Sequence, residues 1–185
     1  MKEPRPWILL LWGAPAAGKS TLARYVVELY SKDHRVGLCH LGTDRLNQSV
    51  LDGRFDGEIR ESLYGSLVHL TEELVSKGRP VLVEGTFLKP AWRERLLWVA
   101  RCRGVPALSV QIECRLALRE CRNQGRSNAD FVPQKFLRTS HEEAKNQLGD
   151  ADFVFDTELM NPERLARFLL DQIQKDPERT GPLRV

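Results

Sequence analysis

Long hydrophobic runs are missing from these 185 residues. The apolar stretch from Trp7 to Trp12 is too short for a signal h-region or a membrane span, so no membrane anchoring is expected and the expected location is cytoplasmic. Charge of one sign is also scarce. The 28 Lys and Arg exceed the 25 Asp and Glu by a formal +3, which lacks the loading of a dedicated polyanion binder but permits an anionic substrate. Cysteine is limited to Cys39, Cys102, Cys114 and Cys121, without CxxC spacing or histidines placed to complete a zinc site. These read as reduced thiols, mostly in the core. His34, His40, His69 and His141 are scattered, with no carboxylate or cysteine at ligand spacing, and are assigned no chemistry. Internal repeats and low-complexity tracts are absent. So are NKxD and DxxG, which excludes a guanine-reading switch.

What is present suffices for one core: 42% of the residues are apolar. Short apolar runs bounded by turn residues alternate with stretches of helical period, the pattern of a parallel sheet wrapped by helices. Strands are predicted at Trp7–Trp12, Val36–Leu41, Pro80–Glu84, Ala107–Ile112 and Phe153–Phe155. Helices are predicted at about Lys19–Ser31, Gly57–Lys77, Ala91–Arg103, Arg115–Gln124, Pro133–Gln147 and Pro162–Lys175. Pro90, Pro133 and Pro162 stand near helix starts, and Gly78 and Gly104 follow helix ends, as the preferences of those residues require. The expected organisation is one domain over residues 1–175 and a loose tail over 176–185.

Between the first strand and the first helix, Gly13-Ala14-Pro15-Ala16-Ala17-Gly18-Lys19-Ser20 matches GxxxxGK[ST] at every required position, with Thr21 following. Backbone N–H groups in such a loop turn inward to form an anion nest, and the helix beginning near Lys19 adds its positive end. Lys19 then neutralises the β and γ phosphates of ATP, and the Ser20 hydroxyl ligates Mg2+.

Motors, switches and kinases all use this loop, so the rest of the site must choose among them. A motor usually ends its second functional strand on an acidic pair, whereas Val81-Leu82-Val83 runs into Glu84 alone, followed by Gly85. A kinase needs a carboxylate near the acceptor hydroxyl and cations over the moving phosphate. Asp44 stands just past the second strand, where open α/β sheets place ligands; a helix N-cap is its other use, and the two are compatible. Arg115, Arg119, Arg122 and Arg126 follow at steps of four, three and four, hence along one helix face, and lead into the polar segment ending at Asp130. Arg115 and Arg119 read as a solvated face paired with Glu113 and Glu120. Arg122 and Arg126 read as part of a lid over about 115–132 that closes on the nucleotide. Glu84 serves either the magnesium shell through water or a basic residue of the acceptor site. Arg45 and Thr86 join Asp44 and Glu84 as substrate-site candidates, with Arg54 and Arg60 nearby.

With the loop, Thr43-Asp44, Glu84-Gly85-Thr86-Phe87 and the Arg122 to Asp130 segment in this order, the chain from Trp7 to Asp156 resembles the AAA-33 type P-loop kinases. That group is related to the kinase domain of phage polynucleotide kinase, to zeta toxins and to chloramphenicol phosphotransferase. The resemblance implies a P-loop NTPase fold of class α/β, with a five-stranded parallel sheet, helices on both faces and a helical lid. It implies that Asp44 orients and deprotonates the acceptor hydroxyl, and that Arg126, with Arg122 beside it, clamps the phosphates. Two departures stand out. The third-strand acid is Glu84 where the group usually has aspartate, and Asn47 occupies the place of the arginine with which polynucleotide kinases grip a substrate phosphate. The function expected is transfer of the γ-phosphate of ATP to a hydroxyl on a nucleic-acid 5′ end, a small metabolite or an antibiotic. A kinase acting on a nucleotide sugar, and a nucleotide-binding regulatory module with little phosphotransfer, are the other readings.

Overall fold

A computed structural model describes the chain except for residues 1–4, 35, 52–56, 127–130, 148 and 177–185. The tail expected beyond residue 176, Arg54 and the polar segment 127–130 therefore lie outside the described residues. Among the described residues, five strands and seven helices follow one another. They are β1 (Ile8–Trp12), α1 (Lys19–Asp33), β2 (Cys39–Gly42), α2 (Thr43–Leu51), α3 (Gly57–Ser76) and β3 (Val81–Gly85), then α4 (Pro90–Arg103), β4 (Ala107–Glu113), α5 (Leu116–Gln124), α6 (Gln134–Lys145), β5 (Phe153–Asp156) and α7 (Pro162–Lys175).

All pairings are parallel and the strand order is β2-β3-β1-β4-β5, so β1 is central, with β3 and β4 beside it in register. A strand covered on both faces reads as a near-continuous apolar run, and Ile-Leu-Leu-Leu-Trp of β1 is wholly buried. Its period of two divides the core. Leu9 and Leu11 pack with Leu22, Val26 and Leu169 of α1 and α7, whereas Ile8, Leu10 and Trp12 pack with Leu67 and Leu96 of α3 and α4. No helix among the described residues is long and apolar enough to cross a membrane.

The sequence did not signal α2. Only Leu46, Val50 and Leu51 are apolar in its nine residues, too few for a legible helical period, and it begins directly after β2 with no linker. It packs against α3, so tertiary contact supplies what its composition does not. The second strand also starts three residues later than expected, at Cys39. Pro90 and Pro162 open α4 and α7, and Gly104 ends α4 in the left-handed region, as their chemistry predicted.

Of the cysteines, only Cys114 is buried; Cys39 is half-buried, and Cys102 and Cys121 are exposed, contrary to a mostly core placement. Cys102 and Cys121 sit on polar faces of α4 and α5, whose core-facing positions are taken by other residues.

Candidate functional site

Parallel strands all end at the same edge of the sheet, and here that edge carries the loop after β1, Asp44 after β2, Thr86 after β3 and Thr157 after β5. The loop after β1 turns on Gly13, whose φ of 136° and position leave no room for a side chain: a Cβ there would lie 2.2 Å from the Ile112 carbonyl oxygen. Gly18 caps α1 at a φ of 108°, and between the two glycines Ala16 also takes a left-handed φ of 61°. Left-handed residues set into a loop in this way are the backbone geometry from which anion nests are built.

Lys19 is 8% exposed, and its ammonium donates to the carbonyls of Gly13 at 3.0 Å and Ala14 at 2.9 Å. Burial lowers its pKa to about 8, against the pull of the Asp44 and Glu84 carboxylates and with the help of Arg126 and Arg119. The loop thus holds a buried cation with backbone dipoles.

A cleft of about 800 Å³ opens over the loop, within the range of small-molecule sites. Asp44, Asn47 and Gln48 line one wall because they lie three and four residues apart on α2 and so share a face. Arg60 and Thr86 continue that wall. Thr86 Oγ1 is hydrogen-bonded to the Tyr64 hydroxyl at 2.7 Å and receives Arg60 Nη2 at 3.3 Å. Arg122, Arg126, Phe136, Thr157, Met160 and Pro162 complete the lining, with the Arg60 guanidinium 5.8 Å from the centre of the Phe136 ring. Arg45, one residue from Asp44 and therefore about 100° around α2, is exposed and is not among the cleft-lining residues.

The arginine stripe divides differently from its sequence reading. Arg115 is solvated, with a 74% exposed side chain, but its partner is Glu158 at 2.8 Å rather than Glu113 or Glu120. Arg119 is 1% exposed and is not part of a solvated face. Its Nε donates to the Pro15 carbonyl at 2.8 Å, and its Nη2 to the Leu137 carbonyl at 2.8 Å and Ser140 Oγ at 3.2 Å. One guanidinium therefore ties the phosphate loop to α6, and burial depresses its pKa while Cys114 and Glu113 oppose this. Periodicity placed the stripe on one face but could not say that the face meets the loop. Arg122 reaches the Ala16 and Ala17 carbonyls at 3.4 and 3.3 Å and Thr157 Oγ1 at 3.0 Å. Thr157 in turn donates to the Ala17 carbonyl at 2.8 Å, a contact that no sequence signal announced. Arg126 lines the cleft and is close enough for its charge to act on Lys19.

Glu84 is 6% exposed and, like Arg45, is not among the cleft-lining residues, contrary to its expected place in the substrate site. Its Oε1 is 2.9 Å from His40 Nε2, so His40, to which the sequence assigned no chemistry, is a direct partner of a site residue. The two are 44 positions apart, and only the pairing of β2 with β3 brings them together. Burial pushes the Glu84 pKa up, but His40, the Ser20 hydroxyl and the Lys19 charge outweigh it and hold the carboxyl below the ordinary glutamate value. Ser20 and Glu84 together offer hard oxygen ligands.

No curated protein matches the sequence. Among solved structures, the APS kinase CysC of Mycobacterium tuberculosis in complex with AMPPNP and APS is 18% identical, with a TM-score of 0.69 over 92% of this chain and 99% of that one. A gluconokinase of Sinorhizobium meliloti, 16% identical, superposes at a TM-score of 0.64 over 96% of each chain. Chaetomium thermophilum Kti12 in complex with ADP-AlF3, 15% identical, reaches 0.69 over 90% of this chain and 98% of that one. At such identities the likeness concerns the fold, which is that of P-loop kinases. The AAA_33 family, described as an AAA domain, matches residues 8–150, from the first strand to the turn before the last, and the chain belongs to that family.

Proposed function

We propose that this protein is an ATP-dependent kinase that transfers the γ-phosphate to a hydroxyl group of its acceptor. The observation that carries this reading is that Lys19 and Asp44 line one cleft, near enough for the Asp44 carboxylate to raise the affinity of Lys19 for its proton. A protein that only senses nucleotide has no use for a carboxylate facing the phosphate end of the cleft.

In this mechanism Asp44 accepts the proton of the acceptor hydroxyl as its oxygen attacks the γ-phosphorus. A bond from that oxygen to phosphorus forms, the bond from phosphorus to the β–γ bridging oxygen breaks, and ADP departs with the electron pair. The proton then passes from Asp44 to solvent. The loop N–H groups and Lys19 hold the β and γ phosphates, and Arg122 and Arg126 face the charge that develops during transfer.

The donor set also fits magnesium. Ser20 Oγ and the Glu84 carboxylate are oxygen ligands, and Glu84 Oε2 is buried with no hydrogen-bond partner among the described residues. When bound, the ion would neutralise phosphate charge. Asn47 in the cleft wall, where a polynucleotide kinase would carry arginine, favours a small-molecule acceptor over a nucleic-acid end.

The test is a radiolabelled-ATP screen over 5′-hydroxyl oligonucleotides, nucleosides, sugars and aminoglycosides, repeated with D44N. The amide is nearly isosteric but a poor base, so D44N should keep its ATP affinity and lose about a hundredfold to ten-thousandfold in transfer. ATP binding by the wild type without transfer to any acceptor class would refute the kinase reading. Loss of ATP binding in D44N with turnover retained would remove Asp44 as the base.

A further inference from the structure

We infer that His40 is a positioning residue for metal-dependent nucleotide binding, acting through Glu84. The inference rests on the proposed role of Ser20 and Glu84 toward magnesium.

The geometry begins with the register of β2 on β3. Gly42 lies opposite Glu84 and His40 opposite Leu82, so His40 and Glu84 occupy diagonal positions on the same face of the sheet. A residue with a side chain at position 42 would stand directly over Glu84. A Cβ there would lie 3.4 Å from both Glu84 Cγ and Glu84 Oε1, in ordinary contact, so only a longer side chain would compete with the imidazole for this carboxylate. The imidazole reaches across to Oε1 at 2.9 Å, with both side chains less than a tenth exposed.

An ionised carboxylate only accepts hydrogen bonds, so the ring nitrogen that meets Oε1 must carry the proton. The contact at 2.9 Å joins two side chains that are both buried, so neither is free to swing into solvent. His40 therefore occupies one oxygen with a fixed donor. Oε2 is left as the acceptor without a partner, in a carboxylate on which the Ser20 hydroxyl and the Lys19 ammonium also act. Without the donor, the carboxylate loses the contact that fixes Oε1, and with it the orientation in which Oε2 is left as the open acceptor. Partners that orient a metal ligand in this way typically change metal affinity by about tenfold to a hundredfold when removed.

The experiment measures ADP binding by calorimetry while Mg2+ is varied, alongside Mn2+ binding by electron paramagnetic resonance. The variants are H40L, which keeps bulk without a donor, H40Q, which restores a donor at similar reach, and E84Q as the reference. H40L should raise the Mg2+ concentration needed for tight ADP binding by about tenfold or more. H40Q should bring it back to within about threefold, and ADP affinity measured without Mg2+ should be unchanged in both. H40A removes the same donor should leucine prevent folding. If H40L and H40A leave the Mg2+ midpoint unmoved while E84Q shifts it, the His40 role is wrong and the metal role of Glu84 stands. If E84Q also leaves it unmoved, the metal reading fails and takes this inference with it. Equal loss of ADP affinity with and without Mg2+ in the histidine variants would show a merely structural role and overturn the proposal.

Discussion

Raising the pH through 8 should weaken nucleotide binding, because Lys19 releases its proton far more easily than a solvated lysine. Its pKa of about 8 is set first by burial among the loop carbonyls. At that value about nine-tenths of the molecules carry the charge at pH 7 and about one-tenth at pH 9, so affinity should fall about tenfold between them and about tenfold per unit thereafter. A polyphosphate favours the charged form, and binding therefore takes up a proton: close to none at pH 7, about half at pH 8, nearly one at pH 9. Calorimetry in buffers of different ionisation enthalpy reads this directly, with K19M as the control that should show neither effect. The same residue bears on stability with a definite sign. Between the folded value near 8 and the unfolded value of 10.5 the unfolded chain holds more protons, so stability rises with pH across that window. Below it the full cost is present, at most about 3 kcal/mol from a shift of this size, and the difference between wild type and K19M in denaturant melts should shrink as pH rises. An ADP affinity that stays flat from pH 7 to 9.5, with no proton uptake, would refute a buried, easily deprotonated Lys19.

Other perturbations separate support of the loop from chemistry. R119M should destabilise the fold by roughly 2–5 kcal/mol in urea melts, since the Pro15 and Leu137 carbonyls lose their buried donor; a near-neutral change would show that water replaces the guanidinium. R126A should lower kcat about a hundredfold while changing ATP affinity little, because it acts on charge that develops in transfer; equal losses in both would mean plain ground-state binding. L10A, at a fully buried position of β1, should cost about 2–5 kcal/mol and leave the Michaelis constant for ATP unchanged in the folded fraction.

The sheet and most of the helices were legible because β1 is apolar throughout, β3 is apolar up to Glu84-Gly85, and β4 carries enough apolar residues around Ser109 and Gln111 to read as a buried strand. The phosphate loop was legible because its glycines and lysine are dictated by local backbone geometry. Asp44 could be placed at a strand end for the same reason. What escaped depends on contacts remote in sequence. Arg119 reads as one more cation on a polar helix until α5 is docked on the loop, 104 positions away from Pro15. His40 gains meaning only through the β2–β3 register, and Thr157 only through the arrival of β5 beside β4. Helix α2 escaped for a different reason: its stability is borrowed from neighbours rather than written in its own apolar period.

The guanidinium of Arg119 binds the carbonyl of Pro15 with one edge and the Leu137 carbonyl of α6 with another, and α6 also presents Phe136 to the cleft. Arg119 thus joins the loop to the helix that carries Phe136 into the cleft. On the kinase reading proposed above, an acceptor that shifts α6 would act on the loop through this side chain, and a nucleotide that tightens the loop would act on α6. Whatever factor the first ligand imposes on the affinity of the second, the second must return to the first. Ordered or synergistic substrate binding would then need no separate switch, because a single buried side chain transmits it.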